Sequence, residues 1–167
     1  MSKIKLLAGL LVLLPSMAVA TVTHVTLWEA LPGKSAEMMA TAAKAVELNK
    51  KLGMQAVTAV DSRGRLHFAM AFEDWAQWGA YQAKAAADAD MQAFMQGYST
   101  NPSAVQLDSF MLNQPLPGAP GNVYNVFIWE SYEGRSADMM TKAMEAAAIH
   151  QADGVSIAIN IDQLGRL

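Results

Sequence analysis

Apolar and polar side chains alternate from Val22 to Leu31, the period of two expected of a strand with two different faces. Pro32-Gly33-Lys34 breaks that pattern. From Ala36 to Leu52 the apolar positions recur at helical spacing instead, through Met38, Met39, Ala42, Ala45, Val46 and Leu52. Alanine, methionine and leucine all favour helix. Ser35 is placed to cap its start, and Glu37 complements the dipole in the first turn. Gly53 follows where a glycine ends a helix. Met54 to Val60 and Arg65 to Phe72 predict two more strands, joined by a hairpin turn at Asp61-Ser62-Arg63-Gly64. Glu73-Asp74 opens a second helix through Trp75, Trp78 and Tyr81, broken near Asp88 and resumed from Ala89 to Gly97. After the turn at Asn101-Pro102, Ala104 to Leu112 predicts a fourth strand. The order is βαββαβ, an α+β chain whose first unit is a ferredoxin-like, split-βαβ module.

The pattern then restarts. Gln114 to Asn122, with three prolines and two glycines, is a linker. Beyond it come an expected strand from Val123 to Ser131, a helix from Ser136 to Asp153 and a strand from Val155 to Asp162. Val25 to Leu66 aligns without a gap onto Val126 to Leu167 at an offset of 101, with 15 of 42 positions identical. Trp28/Trp129, Glu29/Glu130, Gly33/Gly134, Ser35/Ser136 and Gly53/Gly154 are among the matched pairs. A repeat this long implies duplicated domains rather than a solenoid. The expected boundaries are a first module over 21–113, a linker over 114–122 and a partial second module over 123–167. The copy (βαβ) has no counterpart of the third strand, which in the split arrangement lies between the first and second. Its two strands would therefore expose backbone donors and acceptors. The expectation is a fragment of a longer protein, by roughly 45 residues, in preference to a half-module that borrows a strand or rearranges.

The strand period sorts candidate site residues by face. Val25, Leu27 and Leu31 share one face of the first strand with Glu29, while His24, Thr26 and Trp28 share the other. The aliphatic face is expected under the helices, leaving the mixed aromatic and polar face to pack on a second sheet. Antiparallel pairing of the first and third strands brings Trp28 near His67, on one face if His67 points away from Phe68, Met70 and Phe72. His24, Trp28, His67, Asn125 and Trp129 are thus the candidate lining of a pocket for a small apolar or aromatic ligand. Each has a plainer reading. The tryptophans fill an inter-sheet core, Glu29 and Glu130 are solvated, His67 is structural, and His150 sits on a helix surface.

Composition narrows the partners. Residues 1–20 carry Lys3 and Lys5, an apolar run from Ile4 to Leu14 and Ala18-Val19-Ala20, the marks of a signal peptide for a periplasmic or secreted protein. Setting those two lysines aside leaves 10 basic residues against 15 acidic, a formal charge of −5. Nucleic acid is therefore not an expected partner, and no basic amphipathic stretch points to a membrane once the signal is removed. There is no cysteine, so neither disulfides nor thiolate metal sites arise. The methionine doublets Met38-Met39 and Met139-Met140 raise Cu(I) binding, but adjacent residues of an amphipathic helix diverge, and core packing is the reading taken. No metal-spaced cluster, nucleophile elbow, phosphate loop or dinucleotide fingerprint occurs, so no metal or cofactor is expected from the residues.

Trp28-Glu29, Pro32-Gly33-Lys34 before a helix, the hairpin at Gly64 and Phe72-Glu73-Asp74-Trp75 opening the second helix resemble the dimeric α/β-barrel superfamily. Antibiotic-biosynthesis-monooxygenase-like and NIPSNAP-like domains are similar in style. The likeness covers Val22 to Leu112 fully and Val123 to Leu167 in part. It implies sheets packed face to face, as a homodimer or as tandem repeats, and a pocket between sheet and helices. Some members are cofactor-free oxygenases and some bind or degrade haem, which would make His67 a candidate axial ligand or acid–base group beside Trp28. The functional expectation is a small-molecule-binding or structural module. The alternatives are a cofactor-free or haem-dependent oxygenase at Trp28/His67, or an assembly domain with a filled core.

Overall fold

The computed structural model describes residues 22–116, 118–119, 123–163 and 167. The expected signal peptide lies outside the described residues. The chain is α+β, with a five-stranded antiparallel sheet and four helices among the described residues. Strand β1 (Val22–Ala30) leads into α1 (Ser35–Lys51), then the hairpin of β2 (Ala56–Val60) and β3 (Leu66–Phe72). Helices α2 (Trp75–Ala87) and α3 (Ala89–Thr100) precede the long strand β4 (Ala104–Leu116), and α4 (Ser136–Ala152) precedes β5 (Ile159–Asp162).

Local chemistry accounts for the boundaries. Asp74 caps α2, its carboxylate accepting from Gln77 N at 2.7 Å, and Asp88 caps α3 by accepting from Met91 N at 2.8 Å. The break between the two helices is therefore a cap, not a kink. Ser35 does not cap α1: it is the first helical residue, and Lys34 holds the cap position without a side-chain bond. Gly53 takes φ +84 just beyond α1, and Gly64 takes φ +79 in the hairpin.

The sheet order is β2-β3-β1-β4-β5, so β3 lies between β1 and β2 and pairs antiparallel with both. Trp28 is paired with Leu66, and His67 with Leu27. That register corrects the expected assignment of faces. Leu66, Met70 and Phe72 are buried, with Phe68 packed among them, against α1, α2 and α3. Paired residues share a face, so Trp28 goes under the helices with Leu66, while Leu27 joins His67 on the opposite face. Trp28 packs against Met38, Ala42, Leu66 and Ala104. A one-residue difference in register reverses every face, and that is what separates the expectation from the fold.

Strand β4 carries its own shift. The register with β1 slips between Leu27 and Trp28, where Leu107 is the extra residue of a bulge. Ala104 and Met111 consequently both face the helices despite their odd spacing. The opposite face carries Val25, Leu27, His67, Ala69, Asp108, Phe110 and Leu112, and Val25 is buried there.

The second repeat departs further from expectation. Residues 123–133, expected to begin with a strand from Val123 to Ser131, belong to no sheet. A strand needs a partner for its backbone, and the pairing found is a reciprocal one between Trp129 and Leu167 at 2.7 and 3.0 Å. The last strand starts at Ile159 rather than Val155, and pairs with β4 at Leu112, Asn113 and Leu116. Strand β4 runs to Leu116, past the expected end at Leu112. Its ladder with β5 skips at Pro115, which has no N–H to give. One continuous sheet thus contains strands from both repeats.

Candidate functional site

The layer between the sheet and α1–α3 holds the tightest packing, with Val22 and Phe72 the largest fully buried side chains. Three residues of β1 with polar atoms face it: His24, Thr26 and Trp28. Trp28 Nε1 donates to Thr26 Oγ1 at 2.8 Å, and its ring meets Tyr98 edge-on at 5.8 Å. Tyr98 in turn donates its hydroxyl to Ala104 O. Every polar atom of Trp28 is thereby satisfied, and its role is packing.

His24 differs. Its Nε2 lies 2.9 Å from Ser109 Oγ, while Nδ1 is buried without a hydrogen-bond partner. Burial pushes its pKa below the ordinary imidazole value, so the ring is neutral near pH 7. On α2, Trp78 Nε1 is also buried without a partner, and the indole packs against the cluster that contains Met70, Phe72 and Tyr81. Met70 is the β3 partner of His24, and Met111 is its β4 partner. Other polar groups in this layer are paired: Tyr81 donates to Asn49 Oδ1, and Asn49 Nδ2 donates to Ala45 O at 2.8 Å. Burial raises the Tyr81 pKa, which keeps its hydroxyl a donor.

His67 sits half-exposed at the far edge of the other face, 3.5 Å from Asp61 Oδ2. That carboxylate is already engaged by Arg65, through Nε at 2.7 Å, and by the backbone N–H groups of Arg63 and Arg65. Chiefly the Arg65 guanidinium holds Asp61 far below the usual carboxylate range. Asn125 and Trp129 lie outside the sheet, exposed, with Trp129 stacked on Phe127 at 6.3 Å. Of the five candidate residues, His24 and Trp28 share the helix-facing side of β1. His67, Asn125 and Trp129 do not join them. Trp28 and His67 are separated by the thickness of the sheet, so no pocket on one face is lined by both side chains.

No family model matches the chain. No curated protein and no solved structure matches it either. What the site can do is therefore read from its own chemistry. Two buried atoms without hydrogen bonds stand in a mostly apolar layer whose other polar groups are paired, a profile that suits a small ligand carrying one polar group. Nothing in the sequence singles out Trp78 or Ser109 as a site residue. An indole in an amphipathic helix reads as core, and the face of Ser109 depends on the bulge at Leu107. Among the described residues no group of three or more His, Asp or Glu side chains could hold a metal ion. A separate open groove of about 420 Å³ lies between the end of α1 and β2, lined by Val46, Lys50, Met54 and Val57, and it contains none of the five residues.

Proposed function

We propose that the protein is an exported small-molecule-binding module of α/β-barrel type, built from tandem ferredoxin-like units of which the second is partial. The βαββαβ order, with β3 between β1 and β2, supports the ferredoxin-like reading. The offset repeat supports the tandem one. The ligand is a small apolar or aromatic compound taken up between the sheet and α2. One observation carries this: His24 Nδ1 and Trp78 Nε1 are buried and unpartnered in a layer whose other polar side chains, such as Tyr81, Asn49 and Trp28, are hydrogen-bonded. Buried polar groups left unpaired cost about 1–3 kcal/mol each, a cost that a bound hydroxyl or carbonyl removes.

Tryptophan fluorescence titrated with a graded set of phenols, naphthols and their deoxy analogues tests the proposal. Saturable quenching is expected for the hydroxylated compounds, weakened about tenfold by His24→Leu and by Trp78→Phe. Quenching that neither variant alters, or none at all, would defeat it.

A further inference from the structure

His24 and Trp78 each leave a buried nitrogen unpartnered, but the two nitrogens are chemically unlike. An indole N–H only donates. An imidazole nitrogen donates or accepts according to the tautomer, and burial keeps this ring neutral, with one proton to place. Ser109 bears on where that proton goes. Its exposed hydroxyl lies 2.9 Å from His24 Nε2 and can serve as acceptor or donor. With the proton on Nε2, the ring donates to Ser109 Oγ and leaves a bare lone pair on Nδ1. With the proton on Nδ1, a buried N–H is left with nothing to bond, and orphaned buried N–H groups are rarer than under-satisfied acceptors. Nε2–H is therefore the resting tautomer, and the layer offers one acceptor, His24 Nδ1, and one donor, Trp78 Nε1. Both border the same apolar cluster. Met70 belongs to it, Met111 and Trp78 pack against it, and the two methionines are the strand partners of His24.

We propose, resting on the small-molecule reading above, that the ligand is a neutral hydroxyl compound whose O–H donates to His24 Nδ1 and whose oxygen accepts from Trp78 Nε1. A hydroxyl carries both a donor and an acceptor on one atom. An ether or ketone of the same skeleton answers Trp78 but leaves the histidine lone pair unpaired. A carboxylate fits worse still. It has no proton for Nδ1, and it brings a charge into a mostly apolar layer where neither nitrogen has a cationic partner. A site that hydrogen-bonds a hydroxyl rejects the analogue lacking it, because its own buried groups are then left unpaired. Ser109 acts through His24 as a positioning residue, since its hydroxyl accepts the one proton of the ring.

Titration of the full chain with 2-naphthol, 2-methoxynaphthalene, 2-acetylnaphthalene and 2-naphthoate at about pH 7.5 tests this, together with the nitrogen-15 shifts of the His24 ring. Naphthol should bind tightest, the ether and ketone about tenfold more weakly, and naphthoate without saturation. The ring shifts should show a protonated Nε2 and a bare Nδ1 before ligand is added. His24→Leu should bring naphthol down to the affinity of the ether and leave the ether unchanged, whereas Trp78→Phe should weaken naphthol, ether and ketone alike. The ranking and the tautomer are both read on the unaltered protein, so neither depends on a variant that folds. Naphthol and ether of equal affinity, a preferred ketone or naphthoate, or a proton found on Nδ1 overturns the hydroxyl assignment and leaves the small-molecule reading standing. Failure of all four compounds to bind overturns both.

Discussion

Trp28 and His67 stand on paired strands one register step apart, and their side chains point to opposite faces of the sheet. Trp28 belongs to the helix-facing core, while His67 borders the hairpin with 37% of its side chain exposed. The two share no partner, so their contributions to stability should be independent. Trp28→Ala is expected to cost about 3 kcal/mol in urea denaturation, and His67→Ala under about 1 kcal/mol. The double variant should equal the sum within about 0.5 kcal/mol. A larger coupling would mean that the residues meet after all.

His24 gives stability a pH dependence of known sign. Its folded-state pKa is lowered by burial, so the unfolded chain takes up the proton first as pH falls. Stability is full above the ordinary value of 6.5 and declines as pH drops from there through the folded value. His24→Leu should remove that decline. At pH 8 it should leave stability unchanged or raise it by up to about 1 kcal/mol, since an unpaired buried nitrogen disappears and exposed Ser109 can bond to water. Denaturation midpoints at pH 8 and pH 5 decide the matter. A variant with the wild-type slope would place the titration elsewhere.

The first repeat was legible because its signals are local. The hairpin glycine, the break at Asp88 and the alternation in β3 each act within a few residues. Which face of β1 goes under the helices was not, because both of its faces are apolar: Val22 and Trp28 on one, Val25 and Leu27 on the other. Only the register with β3 decides, and pairing Trp28 with His67 rather than Leu66 reverses the answer. In β4 the bulge at Leu107 puts Gln106 and Asp108 on opposite faces, although strict alternation would unite them. The unpartnered nitrogens of His24 and Trp78 were hidden for the same reason: whether a polar atom finds a partner is settled across elements. In the second repeat the strand expected from Val123 to Ser131 is absent, because strand composition makes a strand only where a neighbour accepts its backbone.

Asp61 organises the hairpin end of the sheet, and its loss should be read in acid. The carboxylate accepts from two backbone N–H groups and from the Arg65 guanidinium, which depresses its folded-state pKa. A depressed carboxylate stabilises the fold above its unfolded value and loses that contribution as pH falls through the folded one. Asp61→Asn keeps an acceptor for the turn but not the charge. It should lower the denaturation midpoint at pH 7 and flatten the acid limb of the stability profile below about pH 4. An unaltered acid limb would show that Arg65 leaves the carboxylate in solution.

Gly118 lies where the chain leaves β4 and passes close beneath the approach to β5. A methyl group placed there would meet Ala158 N at 3.0 Å, Ala158 Cβ at 3.1 Å and Ile157 C at 3.1 Å. Two of those atoms are backbone, so relief requires moving the chain just before Ile159, a buried residue of β5. The neighbouring bond from Ala119 N to Ser156 Oγ, at 2.6 Å, holds the same two segments together. Gly118→Ala should therefore cost about 1–2 kcal/mol, the range for an overpacked contact. The loss should be local, because β5 touches the rest of the fold through β4 alone among the strands. Hydrogen exchange is expected to accelerate at Ile159–Asp162 while β1 and β3 keep their protection. Uniform loss across the sheet would instead mean that the second repeat supports the first, and unchanged exchange at β5 would mean that the close approach yields freely.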